Sequence, residues 1–272
     1  MTFTDSKPHY ALLDGLRGVA ALLVVWYHVF EGFQFAGNKP VIDFINHGYL
    51  AVDFFFILSG FVIGYVIHRL STRALSWLSA LLCCALTWFA VTNQSGYGSI
   101  GVGWTIDATN VIGGTLRMLC PFTLGVLMSR VFQPIRNVKG AFWTCAILLL
   151  VFFHVPYIDG GEPFSLNGIF EVVCIICVFP VIVWLAASGK TTDNVSQRIC
   201  RFLGDISFPL YIVHYPLMYA FYMWLIKNKL YTFAETWPLA LASVASSVGI
   251  AWLCLKLYDE PVRKWLRRFV NE

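Results

Sequence analysis

Long apolar stretches separated by short polar connections dominate the pattern of this chain. A stretch of about 17–25 apolar residues is long enough for a helix to cross the hydrocarbon core of a bilayer. Eight such stretches follow one another with no soluble domain, repeat or low-complexity tract between them. The pattern therefore predicts an all-α fold, a polytopic transmembrane helix bundle of about eight spans. The spans are 12–32, 49–68, 74–92, 109–131, 140–156, 168–188, 205–226 and 236–258.

The basic residues of the connections predict the orientation of the bundle. Connections rich in Lys and Arg remain on the cytoplasmic side of a membrane. When the connections are assigned alternately to two sides, one side receives only Lys39, Lys227 and Lys229. With an even number of spans, this alternation predicts that both termini are cytoplasmic. The basic residues on the predicted cytoplasmic side are Lys7, Arg69, Arg73, Arg130, Arg136, Lys139, Lys190, Arg198, Arg201, Arg263, Lys264, Arg267 and Arg268.

The composition supports a membrane protein and excludes several other classes. Hydrophobic residues make up 58% of the chain and charged residues only 12%, whereas a soluble domain carries about 25% charged residues. A net charge of +4, with no basic run in a groove-binding pattern, argues against nucleic acid as a partner. Cys174 and Cys177 form a C-x-x-C pair, but no second pair or histidine stands at zinc-ligand spacing, so no metal site is predicted. We expect no cleavable signal, because the first apolar segment is too long.

The first apolar segment carries an arginine and a histidine that predict chemistry. His28 follows Arg17 by eleven residues, which at about 100° per residue puts both on one helix face, roughly 16 Å apart. Ionisable groups inside a membrane are costly and usually functional. We expect one polar cavity, open to the cytosol, in which Arg17 holds an anionic cofactor and His28 is a general base or proton shuttle. Alternatively, His28 bonds a neighbouring backbone, and Arg17 is an interfacial anchor or pairs with Asp14.

The second segment contributes a candidate carboxylate. Asp53 lies at about the predicted depth of His28 and can orient its imidazole, so the two are predicted to be the catalytic pair. The alternative for Asp53 is a helix cap at the interface. Ser59, beside Gly60, is a weaker candidate for lining the substrate site or pore, because small residues also permit close packing of helices.

Three later residues add to the candidate site. Arg117 is a cation within a span and needs either an anionic ligand or the carboxylate of another helix. His214, two residues before the helix-kinking Pro216, either lines the substrate site or bonds another helix. Trp104 either stacks on a sugar or belongs to the aromatic belt of the membrane interface.

Five segments occur in the order and spacing of a known family. The chain resembles the integral-membrane acyltransferase family, the acyltransferase-three group, whose members modify surface polysaccharides, peptidoglycan-linked sugars, lipids and antibiotics. The resemblance covers both ends and most of the chain, and its most specific element is the arginine–ten residues–histidine pattern at Arg17 and His28. The segments are LDGLRGVAALLVVWYHVF, GYLAVDFFFILSGFVIGY, LRMLCPFTLGVLMSR, LGDISFPLYIVHYPLMY and YDEPVRKWL.

The resemblance implies a function for one domain covering residues 1–272. It implies O-acylation, usually O-acetylation, with cytoplasmic acyl-CoA (acetyl-CoA) as donor substrate and no permanently bound cofactor. The acceptor would be a hydroxyl of a cell-surface carbohydrate or lipid-linked sugar. The expected location is the cell membrane, which is the inner membrane if the source is a Gram-negative bacterium. By the same resemblance His28 carries out the proton or acyl transfer and Arg17 contacts the CoA. Arg117, as a cation within a span, is predicted to be a second cofactor-binding residue.

The chain departs from the family pattern after the second span. There the family carries an arginine-rich cytoplasmic segment that ends in Tyr-Pro or His-Pro, and further on a Trp-Ser-x-x-x-Glu-like stretch. Here GFVIGYVIHRL runs directly into STRALSWLSALL, so the resemblance is interrupted near residues 70–73. We expect that a block of about two helices is missing, that the fold persists, and that the affinity for acyl-CoA is reduced because arginines that bind its phosphates are lost.

Two other functions compete with the acyltransferase. A transporter or flippase for a lipid or acylated metabolite would use Arg17, Asp53 and Arg117 to line its path. The two halves of the chain show no inverted repeat of the kind that transporters often have. A structural or partner-binding remnant is the third reading, because of the missing block. In all three, membrane lipids are expected partners.

Overall fold

The chain folds into helices only, as the computed structural model shows for residues 10–39, 41–64, 70–132, 138–158, 164–191 and 193–270. The predicted all-α class is confirmed for this part of the chain. A single 3-10 turn, Gly48–Leu50, leads into α2, and one π-helical turn each connects α6 to α7 and α9 to α10. The helices are α1 (Ala11–Gly37), α2 (Ala51–Ile63), α3 (Thr72–Val91), α4 (Ala108–Val131), α5 (Ala141–Phe153), α6 (Leu166–Val173), α7 (Phe179–Ser188), α8 (Asn194–Asn228), α9 (Phe233–Cys254) and α10 (Glu260–Val270).

Several of these helices are built to cross a membrane. Among the described residues, five helices are long and apolar enough to do so. Two further apolar helices, Gly48–Ile63 and Ala141–Phe153, are shorter. The 13 residues of α5 extend about 20 Å, which is less than the hydrocarbon thickness of about 30 Å. The five long helices are Ala11–Gly37, Thr72–Val91, Ala108–Val131, Leu166–Ser188 and Phe233–Leu266.

The connections between helices gather at two opposite ends of the bundle. At one end, which we name the glycine-rich end after residues 92–107, the amide of Ser165 donates to the carbonyl of Val91 and the amide of His47 donates to the carbonyl of Phe153.

At the other end, one hydrogen bond joins a residue just before α3 to the end of α4, and another joins the α4–α5 connection to the end of α7. The guanidinium of Arg130 donates to the carbonyl of Leu70, and the amide of Val138 donates to the carbonyl of Ser188. We name this the basic end, because Arg130 and its neighbouring connections carry the arginines and lysines. Three residues of the charge argument, Lys7, Arg69 and Arg136, lie outside the described residues.

Helices α1 and α8 run in parallel and pack along their whole length. Gly15 of α1 faces Cys200, Gly18 faces Leu203, and Gly32 faces Tyr222. A Cβ atom on Gly18 would lie 2.3 Å from the carbonyl oxygen of Leu203, so only glycine permits this approach. Such stripes of small residues are the usual means by which membrane helices pack closely. The pairing places His28 of α1 opposite α8.

Helices α2 and α4 form a second parallel pair. A Cβ atom on Gly60 would lie 2.0 Å from the carbonyl oxygen of Phe122, and one on Gly125 would lie 2.2 Å from that of Ile57. The pairing brings Asp53 of α2 beside Arg117 of α4.

Aromatic residues fill the core behind α2. Phe54 of α2 packs edge to face on Phe179, the first residue of α7, with ring centroids 5.4 Å apart. Phe153 at the end of α5 packs on the other side of Phe179 at 6.1 Å. All three are fully buried, so α5 and α7 support the wall that carries Asp53.

The close approach of α2 and α4 makes a prediction about two glycines. We expect Gly60→Ala to destabilise the protein by about 1–3 kcal/mol, because the new methyl group overlaps the α4 backbone. Gly249→Ala is the matched control, since a Cβ atom at Gly249 of α9 meets nothing within 4 Å. There the alanine should be neutral or gain up to about 1 kcal/mol of helix propensity. Thermal unfolding of both variants in detergent measures the difference, and equal stability would contradict the packing.

Candidate active site

A cavity of about 700 Å³ lies between α1, α2, α4 and α8 and reaches residues 102–105 at the glycine-rich end. Its volume is in the range of small-molecule binding sites. Of the seven residues predicted from sequence to form the site, five line this cavity. They are His28, Asp53, Trp104, Arg117 and His214.

His28 is hydrogen-bonded to a carboxyl group of its own helix. Its Nδ1 lies 2.5 Å from Oε2 of Glu31, one turn later on α1. The hydroxyl of Tyr222 on α8 donates to Oε2 of Glu31 at 3.1 Å and to the backbone carbonyl of His28 at 2.5 Å. A carboxylate oxygen accepts hydrogen bonds, so this contact gives Nδ1 the donor role and leaves Nε2 of His28 as the nitrogen that can accept a proton.

The carboxylate beside His28 is therefore Glu31, and the prediction that Asp53 forms this pair is wrong. Depth along a span was the only guide to Asp53, and depth does not specify which way a side chain points. A signal for Glu31 is present in the sequence, since residues three apart lie on the same face of a helix.

Asp53 instead binds Arg117. The Nε atom of Arg117 lies 3.2 Å from Oδ1 of Asp53, and Nη2 lies 2.5 Å from Oδ2, a two-pronged ion pair with both side chains buried. Nη1 of Arg117 donates to the carbonyl of Val102 at 3.0 Å, and the guanidinium lies over the ring of Tyr49. Of the two partners that the sequence allowed for Arg117, the structure contains the carboxylate of another helix.

His214 packs directly on His28. The two imidazole rings are stacked, with centroids 5.2 Å apart and an angle of 29° between their planes. Nδ1 of His214 lies 3.0 Å from the carbonyl of Leu210 and donates to it. Nε2 is buried and has no hydrogen-bond partner among the described residues. His214 therefore combines the two alternatives left open by the sequence: it lines the cavity and bonds backbone, although the backbone belongs to its own helix.

Trp104 forms the rim of the cavity at the glycine-rich end. Its side chain is exposed, and Nε1 donates to the carbonyl of Gly101 at 2.9 Å. The loop is held by Asn110, whose side-chain oxygen accepts from the amides of Gly103 and Trp104. Asp107 caps α4, and hydrogen bonds from the Thr105 hydroxyl and the Asn110 amide lower the pKa of its carboxyl.

Arg17 and Ser59 lie outside the cavity lining. The Nη1 atom of Arg17 bonds Oδ1 of Asp14 at 3.1 Å, and both side chains are half-buried. In the part of the chain that the structure describes, the cavity around His28 does not include Arg17, so the predicted common cavity is wrong. The reason is distance: three helical turns separate the two side chains, and they meet different neighbours. Ser59 is half-buried on α2, where its neighbour Gly60 packs on α4.

A second buried network, which sequence reasoning missed, supports the cavity wall. The carboxylate of Glu171 on α6 is fully buried; it accepts from the Tyr49 hydroxyl and, at 2.6 Å, from the amide of Ile100. His47 Nδ1 lies 3.3 Å from the same carboxylate. The hydroxyl of Tyr157 bonds that of Tyr49, and burial raises the pKa of Tyr157 to about 12. Glu171 is the single acidic residue of the apolar segment 168–188, which was the available signal.

The ion pair of Asp53 and Arg117 can be tested by exchanging each partner for a neutral analogue. Removing one member of a buried pair leaves an uncompensated charge and costs about 3–5 kcal/mol. We expect Asp53→Asn and Arg117→Gln each to lower the temperature of unfolding in detergent strongly. The double variant should be more stable than either single variant. Additive losses in this double-mutant cycle would show that the two groups do not interact.

Comparison with known proteins identifies the family to which the chain belongs. A family model described as an acyltransferase domain matches residues 10–106 and 65–256. The O-acetyltransferase OatA of Staphylococcus aureus is 20% identical over 286 residues, which cover 97% of this chain and 44% of OatA. Protein 2 in the picA locus of Rhizobium radiobacter is 50% identical over 63 residues, 23% of this chain and 29% of that protein. No solved structure matches the chain.

The chain spans less than half the length of these curated relatives. The two matched ranges of the family model overlap in residues 65–106, a segment that includes the predicted interruption near 70–73. Together the ranges extend from α1 to α9 and include every helix that lines the cavity. The protein therefore belongs to the integral-membrane acyltransferase family that its sequence resembles.

Proposed function

We propose that the protein is a membrane O-acyltransferase. It moves an acyl group, with acetyl as the expected one, from cytoplasmic acyl-CoA to a hydroxyl of a cell-surface carbohydrate or lipid-linked sugar. Membership of the family and the similarity to an O-acetyltransferase support this activity. The observation that carries it is the imidazole of His28, which is bound to Glu31 through Nδ1 and lines a cavity large enough for a sugar.

The proposal includes a topology. The eight predicted segments form one bundle in a cell membrane, with the basic end and both termini in the cytoplasm and the glycine-rich end outside. Support comes from the hydrogen bonds that join the connections into two separate groups and from the arginines that collect in one of them. Helix α8, with 35 residues, extends about 52 Å and is long enough to cross even though its tyrosines and prolines make it less apolar.

His28 supplies the proton transfer. Its Nε2 accepts the proton of the acceptor hydroxyl while that oxygen attacks the thioester carbonyl. The resulting tetrahedral intermediate breaks its carbon–sulfur bond, and the CoA thiolate takes the proton from His28 as it leaves. Glu31 holds the imidazole in the required tautomer and stabilises the imidazolium that forms.

A covalent route uses the same nitrogen. Nε2 of His28 attacks the thioester first and releases CoA, and the acyl-imidazole then passes its acyl group to the acceptor hydroxyl. The two routes differ in whether CoA is released before the acceptor binds.

Donor binding is assigned to the basic end. Arg17 lies there, roughly 16 Å along α1 from His28, and its half-buried guanidinium bonds Asp14. In this proposal it contacts the anionic part of acyl-CoA, while the pantetheine arm covers the distance to His28. Because the chain lacks the arginine-rich block, its affinity for this donor would be reduced.

No observation favours the transporter. Two of the three charged residues that would line its path, Asp53 and Arg117, neutralise each other. A partner-binding remnant is distinguished from the enzyme by the activity measurement that follows.

The role of His28 is tested by substitution. We expect His28→Ala to lower acyl incorporation into the acceptor by about 10²–10⁴-fold, the usual contribution of a positioned general base. His154→Ala is the control, because His154 lies outside the cavity lining. Glu31→Gln should lower kcat less, with the acceptor KM unchanged. Incorporation of labelled acetyl groups by purified protein in liposomes measures all three. Wild-type incorporation by a well-inserted His28→Ala variant would refute the proposal.

A separate prediction concerns the donor. We expect Arg17→Ala to raise the KM for acetyl-CoA several-fold, because it removes a cation from the binding site of an anion. Asp14→Ala leaves the guanidinium in place and should not raise this KM. Steady-state rates at varied acetyl-CoA measure both variants. An unchanged KM in Arg17→Ala would show that Arg17 acts only as an anchor at the membrane interface.

A further inference from the structure

The cavity around His28 is open on one side. Val111 and Met118 of α4 line the cavity and are 52% and 42% exposed. Tyr211 and Tyr215 of α8 also line it and are 44% and 42% exposed. Side chains that line a cavity and keep this much exposed surface are placed at the rim of an opening. The opening therefore lies between α4 and α8.

The geometry of the two helices explains the gap. Val111, Thr115 and Met118 follow one face of α4 over about 10 Å. Helix α4 packs on α2, and α8 packs on α1 and α9, so each side of the gap is held by a different neighbour. Phe55 of α2 contacts Tyr211 with ring centroids 5.8 Å apart and forms the floor of the gap on the side toward the basic end.

In the proposed topology the opening would face lipid. Its α4 side lies within Ala108–Val131, one of the helices that is long and apolar enough to cross the membrane. The rim begins in the first turn of α4 and includes no residue of its last turns, so it belongs to the half of the bundle nearer the glycine-rich end.

The lining combines hydrogen-bonding groups with apolar side chains. The stacked imidazoles of His28 and His214 and the side chain of Asn110 provide hydrogen-bonding groups. Val52, Phe56, Val111 and Met118 are apolar, and Thr115, Tyr211 and Tyr215 carry hydroxyls at the rim. A ligand that matches this lining has a hydroxylated head and a hydrocarbon tail.

We propose that the acceptor is a lipid-linked hydroxyl compound that enters sideways from the membrane leaflet at the glycine-rich end, through the gap between α4 and α8, which we name the side portal (Val111, Thr115, Met118, Tyr211 and Tyr215). The inference rests on the proposed function. The head reaches His28, and the tail remains between the two helices in contact with lipid. The donor does not account for the side portal, because acyl-CoA arrives from the basic end.

The experiment uses two acceptors, a glycoside with a long alkyl tail and the same glycoside with a methyl group. The protein is reconstituted in liposomes, and acetyl transfer from acetyl-CoA to each acceptor is measured. Thr115→Trp narrows the side portal. Ile112→Trp is the matched control, because Ile112 lies on α4, is 55% exposed and does not line the cavity. We expect the ratio of tailed to methyl acceptor turnover to fall about tenfold or more in Thr115→Trp and to stay at the wild-type value in Ile112→Trp.

A second measurement does not depend on activity. A tailed glycoside with a photoreactive group in its tail is cross-linked to the protein, and the labelled peptides are identified by mass spectrometry. Label on peptides containing residues 111–118 and 211–215, reduced by excess tailed glycoside but not by methyl glycoside, supports the side portal. Label spread evenly over the outer faces of all helices, or confined to residues 103–105, overturns it.

The two proposals fail in distinguishable ways. Protected labelling without acetyl transfer to any acceptor would retain the side portal and refute the acyltransferase. Acetyl transfer to the methyl glycoside that equals transfer to the tailed one, with the same ratio in Thr115→Trp, would retain the enzyme and refute the side portal.

Discussion

The buried ion pair of Asp53 and Arg117 holds together the wall that faces His28. Removing two charges from water is expensive, and the cost is offset only when geometry and further hydrogen bonds satisfy both groups. Here the two prongs of the pair, the carbonyl of Val102 and the ring of Tyr49 surround the guanidinium. The pair thereby joins α2, α4, the 3-10 turn and the loop that carries Trp104. Without it, four elements of the cavity would lose their common contact.

Two parallel helix pairs form opposite walls of the cavity and carry different residues. The pair α1–α8 carries the histidines and Glu31, and the pair α2–α4 carries the ion pair and most of the opposite wall. Glycines bring each pair into backbone contact, at Gly18 in the first and at Gly60 and Gly125 in the second. In a membrane, where apolar surface gains little from leaving lipid, such close packing is the main source of helix association.

The sequence predicts the helices well and the side-chain partners poorly. Apolar length alone locates the helical segments. His28 attracts attention because an ionisable side chain inside a membrane segment is costly and is usually retained for function. The partner of His28 depends on rotation about the helix axis, which hydropathy does not contain, so depth in the span indicated Asp53 and gave no indication of Glu31. Tyr222 and Glu171 belong to helices distant in sequence, and their contacts with α1 and Tyr49 follow from tertiary packing. Arg17 shows a further limit of sequence patterns: it shares a helix face with His28, yet only His28 lines the cavity.

The double contact of Tyr222 has a mechanical consequence. One hydroxyl bonds the backbone of α1 at His28 and the carboxylate of Glu31, while Gly32 packs on the same tyrosine ring. Rotation or sliding of α8 against α1 would break both bonds at once, so the tyrosine holds α8 in register with α1 at His28. The contacts across the cavity, Tyr27 with Tyr49 and Phe55 with Tyr211, are between aromatic rings. A displacement of α2 relative to α1 and α8 would therefore disturb ring packing, whereas one between α1 and α8 would break hydrogen bonds.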